Sequence, residues 1–220
     1  MSEEKLPDWD ILYLCLLEKA RERHQGKIKI KPKSELKWFW KMLQFILKVL
    51  TFGKAPAIYD RFFTVIGRTI WLPGDGSLWD EFTWWQQYAL VSHELDHMDY
   101  CYFGRSDIRD EDHTEIKNWK DLEAPWYWKL WYNFKYLFWP LPILYAYGRQ
   151  DIEIKGYRRN IEVNIQMFGE VQEYLILFIF HQFTSANYVW MATKKRADEL
   201  IQKEVEDVKK AYAENRLRFG

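Results

Sequence analysis

Five consecutive residues, His93-Glu94-Leu95-Asp96-His97, constrain this chain more than any others. Histidines four apart lie one turn apart on the same face of a helix, so both imidazoles can reach a single metal ion. The stretch VSHELDHMDY at 91–100 is therefore expected to be helical, and another element must face it. Glu94 adjoins the first histidine and is badly placed to be a ligand as well. It is placed to take a proton from a metal-activated water, as a general base. Zinc lowers the pKa of such a water towards about 7 and polarises a carbonyl, which is why this pattern suits hydrolysis near neutral pH. A catalytic zinc site takes three protein ligands and leaves one position open, so a third ligand must come from elsewhere in the chain.

The flanking sequence supplies a scaffold. Residues 8–24 and 35–50 carry apolar positions at helical spacing, and Gly53 and Pro56 close the second run. KIKIKPK at 27–33 alternates and contains a proline, which suits an exposed strand or a linker. RFFTVIGRTIWL at 61–72 is rich in β-branched and aromatic residues and interrupted by Gly67, the pattern of one strand or a short hairpin. Pro73-Gly74-Asp75-Gly76 is turn chemistry. Asp80 or Thr83 then caps a helix running to about residue 102. The polar stretch 104–124 is read as a loop, and helices are expected at about 150–168, 170–182 and 194–216. The fold class is α+β: a single domain over 1–220, mostly helical, with a small sheet or hairpin before the motif helix. The site core lies at about 60–165, between helical extensions.

The best source of a third ligand is YAYGRQDIEIKGYRRNIEVN at 145–164, where Glu153, Tyr157, Asn160 and Asn164 share one helical face. Here the chain resembles the gluzincins, zinc peptidases that present a carboxylate from a second helix to the HExxH helix. More narrowly it is similar to small phage and bacterial metallopeptidases in which a D-x-E-x-x-(small)-Y segment follows that helix; in this chain it reads Asp151-Ile152-Glu153-Ile154-Lys155-Gly156-Tyr157. The resemblance spans about 60–165. It implies a zincin-type fold, Zn2+ on His93, His97 and Glu153, and Tyr157 as a donor to a developing oxyanion. It also implies a peptide or protein substrate. The Asn-Glu-x-x-Ser-Asp signature of thermolysin-like gluzincins is absent.

Competing patterns are weaker. Metzincins continue HExxHxxGxxH, but Tyr100 and Phe103 stand at those glycine and histidine positions. His113, sixteen residues after His97, would make a three-histidine site resembling SprT-like proteases, although no cysteine zinc ribbon follows. A di-iron bundle needs two ExxH motifs, and Glu94-x-x-His97 has no second. Asp96, Asp99 and Asp151 are available to orient the histidines from behind.

Charge and composition remove other classes. With 32 basic and 32 acidic side chains the chain offers no electrostatic case for nucleic acid. Two cysteines, Cys15 and Cys101, make neither a disulfide framework nor a zinc ribbon, and the acidic N-terminus lacks signal-peptide order, so a soluble, intracellular (cytoplasmic) protein is expected. No apolar run is long enough to span a membrane, and Tyr174–Phe180 reads as a buried helix segment. The aromatic segment at 124–147 and the basic-aromatic KIKIKPKSELKWFWKM invite a second class of function, a non-catalytic metal-binding or interaction protein. The simpler reading of both is a core helix whose lysines reach out to water. The charged C-terminal segment reads as a solvated closing helix with a stripe at Leu200, Val205, Val208 and Tyr212.

Overall fold

In the computed structural model the described residues are 8–50, 53, 57–104, 118–138, 147–185 and 191–214, with backbone alone for Leu50, Leu137, Phe138, Tyr147 and Gly148. The architecture is mostly helical around one small sheet: α1 (Trp9–Arg23), β1 (Lys29–Pro32), α2 (Lys37–Leu50), α3 (Ile58–Arg61), β2 (Thr64–Ile66), β3 (Thr69–Leu72), α4 (Ser77–Asp80), α5 (Trp84–Phe103), α6 (Trp126–Phe138), α7 (Tyr147–Phe168), α8 (Glu173–Thr184) and α9 (Lys194–Ala213). Short 3-10 turns lie at Lys33–Leu36 and Trp119–Leu122. The expected α+β class holds in that form.

The 61–72 segment is a hairpin. β2 runs antiparallel to β3, with Ile66 opposite Thr69, and Gly67 takes φ +60° in the two-residue turn between them. A left-handed first turn residue matches the twist of the flanking strands, and glycine adopts it without a Cβ clash. β1 joins the other edge of β3 in parallel, giving the order β1-β3-β2. KIKIKPK is thus a paired strand, and its last lysine turns inward. Lys33 is fully buried; its ammonium donates to Ile58 O (2.7 Å), Phe62 O (2.6 Å) and Thr64 Oγ1 (3.0 Å), and lies 4.4 Å from the Trp40 ring centre. That anchor ties the entry to β2 against β1 and α2.

Helix α5, the motif helix, is the central rod. The Thr83 backbone N–H donates to Gln86 Oε1 at its start, and Gly104 (φ +76°) ends it by donating to Tyr100 O. Residues from Gln87 to Asp99 are buried nearly without interruption, because α1, α6, α7 and β2 all pack on this helix. One core joins α1 to α5 through Leu16, Leu17, Ala20, Val91, Leu95 and Met98. Buried Asp99 fastens the same pair: its Oδ1 lies 2.7 Å from His24 Nε2, and Arg23 donates to its Oδ2 at 3.1 Å. His24, without a partner by sequence spacing, therefore has a structural one.

α7 carries two faces. Ile154, Tyr157, Ile161 and Ile165 enter a second core with α8 and α9, which includes Val205 and Val208 of the expected C-terminal stripe. Glu153, Gly156, Asn160 and Val163, offset on the helix, turn to α5.

The aromatic helices depart from the core-helix reading. Among the described side chains of α2 only Trp40 is buried, while Trp38 (69%), Met42, Phe45 (67%), Ile46 and Val49 are exposed. On α6 Tyr132 is buried and Trp126, Tyr127, Leu130, Trp131 and Phe134 are exposed; on α8, Leu175 and Ile179 are buried whereas Tyr174, Leu177 and Phe178 are not. Each helix has one side to bury, and a 14-residue helix with ten apolar residues leaves the rest outside. No described helix is long and apolar enough to cross a membrane.

Candidate metal centre

The two motif histidines point from α5 towards α7, where Glu153 meets them. His93 Nε2 and His97 Nε2 lie 3.0 Å apart, and Glu153 Oε2 is 3.4 Å from the first and 3.6 Å from the second. Ligands at about 2.0–2.1 Å around a tetrahedral ion are separated by about 3.3 Å. The observed triangle has that size. Among the described residues this is the one group of three or more His, Cys, Asp or Glu side chains able to hold a metal ion. His93, His97 and Glu153, placed in the sequence on separate grounds, are thus brought together. His113 lies outside the described residues.

The donor set is prepared as ligands require. His93 Nδ1 donates to Asn160 Oδ1 at 3.0 Å, which leaves the lone pair of the neutral ring on Nε2, facing the cluster. The orienting group is therefore Asn160. Of the aspartates considered for that task, Asp96 faces Arg159 (3.4 Å), Asp99 holds Arg23 and His24, and Asp151 is exposed. His97 Nδ1 is buried with no hydrogen-bond partner, so the two candidate ligands are unequally fixed.

A close approach of the helices makes the geometry reachable. A Cβ at Gly156 would sit 2.8 Å from His93 Cε1 and Nε2 and 2.9 Å from Cδ2. The glycine leaves room for the imidazole against the α7 backbone.

The electrostatics favour a cation. Burial alone would lower the His93 pKa, but the hydrogen bond to Glu153 and the charges of Glu94 and Glu153 overcome it and raise the group to about 9. Burial would raise Glu153, yet His97 and His93 hold its carboxyl well below the ordinary range. Both shifts favour positive charge beside Glu153. Burial raises Glu94, against the lowering pull of His93 and His97, which makes it a readier proton acceptor than an exposed glutamate.

Two tyrosines differ in placement. Tyr157 sets its ring edge-on to His93 (centroids 4.7 Å) and also meets Phe178 and Phe183, on the core side of α7. The hydroxyl of Tyr136 on α6 reaches the cluster and donates to Glu153 Oε1 at 2.7 Å; burial holds its pKa well above the ordinary tyrosine value, so it remains a donor. Sequence reading missed Tyr136, one ring in a run of aromatics with no spacing relation to the motif. Asn160 and Gly156 had a signal: Asn160 shares the face of Glu153, and a helix-interior glycine costs about 1 kcal/mol relative to alanine and wants a reason.

A small recess opens beside His97, lined by Val65 and Gly67 of the hairpin, Cys101, and Tyr132, Asn133 and Tyr136 of α6. Its wall on one side is β2, an edge strand of the sheet. No protein-family model, curated protein or solved structure matches the chain.

Proposed function

We propose that this protein is a zinc-dependent peptidase of gluzincin type, hydrolysing peptide (amide) bonds. The observation that carries the reading is the buried convergence of His93, His97 and Glu153, with Glu94 on the same helix turn. His93 and His97 would hold the ion through Nε2 and Glu153 through Oε2. When bound, zinc supplies Lewis acidity to the scissile carbonyl and to the attacking water. Glu94 takes the proton of that water and returns it to the departing amine, a transfer its raised pKa suits. Asn160 keeps the His93 tautomer, and Tyr136 would have to turn the O–H it gives Glu153 Oε1 to the oxygen on which negative charge develops. The recess beside His97 is an opening next to the cluster, and β2, at the edge of the described sheet, would pair with an extended peptide backbone. The zincin-type fold is part of the same proposal, supported by a hairpin preceding and packing on the motif helix.

A second reading is a metal site kept for structure, favoured by the burial of His93, Glu94, His97 and Glu153, each under a tenth exposed. Glu94 separates the two, because a structural site has no use for a general base. The test combines zinc content with cleavage of a mixed fluorogenic peptide set by wild type and Glu94→Gln. One zinc per chain in both, with cleavage reduced at least ~100-fold in the variant, is expected. Full cleavage by a zinc-loaded Glu94→Gln sinks the peptidase reading, and zinc with no cleavage by either protein favours the structural site.

A further inference from the structure

α2 has an outer face that nothing in the described chain covers. Trp38, Met42, Phe45 and Val49 follow one another at three- and four-residue steps, with Ile46 beside them, and all five are exposed. The opposite face, through Trp40, is spent on Tyr59 and Trp71. A row of exposed lysines borders the apolar row: Lys37, Lys41 and Lys48 each stand one residue before Trp38, Met42 and Val49. Lys27 and Lys29 on the approach to β1 and along it are exposed as well. From Lys27 to Lys48 the chain has seven lysines; Lys33 is buried, Lys31 pairs with Glu35, the single acidic residue, and the other five are exposed. In a chain of zero net charge this is a concentrated positive patch.

The chemistry of the face specifies its occupant. An apolar strip with no acceptor group on it needs a surface that is apolar within. A lysine border needs anionic groups along its edge, and a helix of this kind lies in the plane of a bilayer, with rings among the acyl chains and ammonium groups at the headgroups. The geometry points to α2 as a docking element for an anionic membrane surface: we infer that the protein binds negatively charged bilayers peripherally, through Trp38, Met42, Phe45, Ile46 and Val49, with Lys37, Lys41 and Lys48 at the phosphates. The inference does not depend on the peptidase reading.

The test is flotation of the full-length protein with vesicles of phosphatidylcholine alone and with phosphatidylglycerol added. Wild type is compared with Trp38→Ser/Phe45→Ser and with Lys37→Glu/Lys41→Glu/Lys48→Glu. These side chains are exposed, so both variants should fold, which circular dichroism and zinc content check independently of lipid. The expected result is recovery with anionic vesicles at least ~10-fold above neutral ones, falling with salt, and at least ~10-fold lower in both variants. Equal recovery with neutral vesicles, or wild-type binding by folded variants, overturns the inference. So does absence of vesicle binding, whether light scattering shows a monomer or a dimer that Trp38→Ser/Phe45→Ser dissociates; the dimer would assign the face to a second copy of the chain.

Discussion

Replacing Gly156 by alanine sets two effects of opposite sign against each other. An alanine in a helix interior is better than glycine by about 1 kcal/mol, so helix propensity alone predicts a more stable protein. The added methyl carbon, however, would stand 2.8 Å from His93 Cε1 and Nε2. Ordinary carbon contacts begin at about 3.5 Å, so His93 or α7 must give by about 0.7 Å. The ring has little freedom, since Asn160 holds Nδ1, His97 faces Nε2, and Tyr157 lies against the ring. Overpacking of this kind costs about 1–3 kcal/mol, so the metal-free variant should be up to about 2 kcal/mol less stable than wild type. The loss of metal affinity should be larger. Metal–ligand distances tolerate about 0.2 Å, and moving Nε2 several times that far should weaken zinc at least ~100-fold, about 2.7 kcal/mol. Competition against a chromophoric chelator measures the affinity, and denaturant unfolding of the metal-free proteins measures the stability. If Gly156→Ala binds zinc within about threefold of wild type and unfolds about 1 kcal/mol later, the close approach of α7 to His93 is not what the glycine serves.

Asn160→Ala should fold and lose about 10- to 100-fold in zinc affinity, because His93 then has no acceptor holding Nδ1–H; an unchanged affinity in the same competition assay refutes the orienting role. Tyr136→Phe should keep its zinc but lose about 100-fold in turnover against the peptide set, whereas Tyr157→Phe should change turnover much less; the reverse order would return the donor role to Tyr157. Burial lowers the Lys33 pKa from 10.5 to about 7, against the pull of Glu94 and Asp60. Between those two pH values the unfolded chain holds more protons than the folded one, so this lysine makes stability rise with pH, by at most about 1.4 kcal/mol per unit. Below pH 7 its cost is fully present. Unfolding of wild type and Lys33→Met, compared at about pH 7.5 and 9.5, should show the wild-type stability relative to the variant increasing with pH; a constant difference excludes the linkage.

Much of the local structure was legible because it rests on spacing. The four-residue step between His93 and His97 implies a helix, with Asp80 or Thr83 to cap it and an end near residue 102; the structure starts it after Thr83 and ends it at Gly104. Gly67 between two β-branched runs allows one strand or a short hairpin, and the pairing of β2 with β3 decides for the hairpin. Glu153, Tyr157 and Asn160 share a helical face by periodicity alone, and the sequence therefore carried the candidate donors and the residue that orients one of them. Periodicity does not say which neighbour a face meets. Tyr157 and Asn160 are three residues apart, yet packing of α7 between α5 and α9 sets the Tyr157 ring between His93 and Phe183 and gives the hydrogen bond to His93 Nδ1 to Asn160. Tyr136 reaches Glu153 from a separate helix, a contact that no local pattern encodes. The burial of Lys33, in a segment that reads as solvated strand or linker, follows from a cage of backbone carbonyls assembled by α3 and the approach to β2. Apolar content likewise marks α2 as able to enter a core, but only the tertiary arrangement, with Tyr59 and Trp71 on one side of it, determines that Trp38 and Phe45 stay outside. The sequence determines what each element presents; which presentations meet depends on the packing of distant helices.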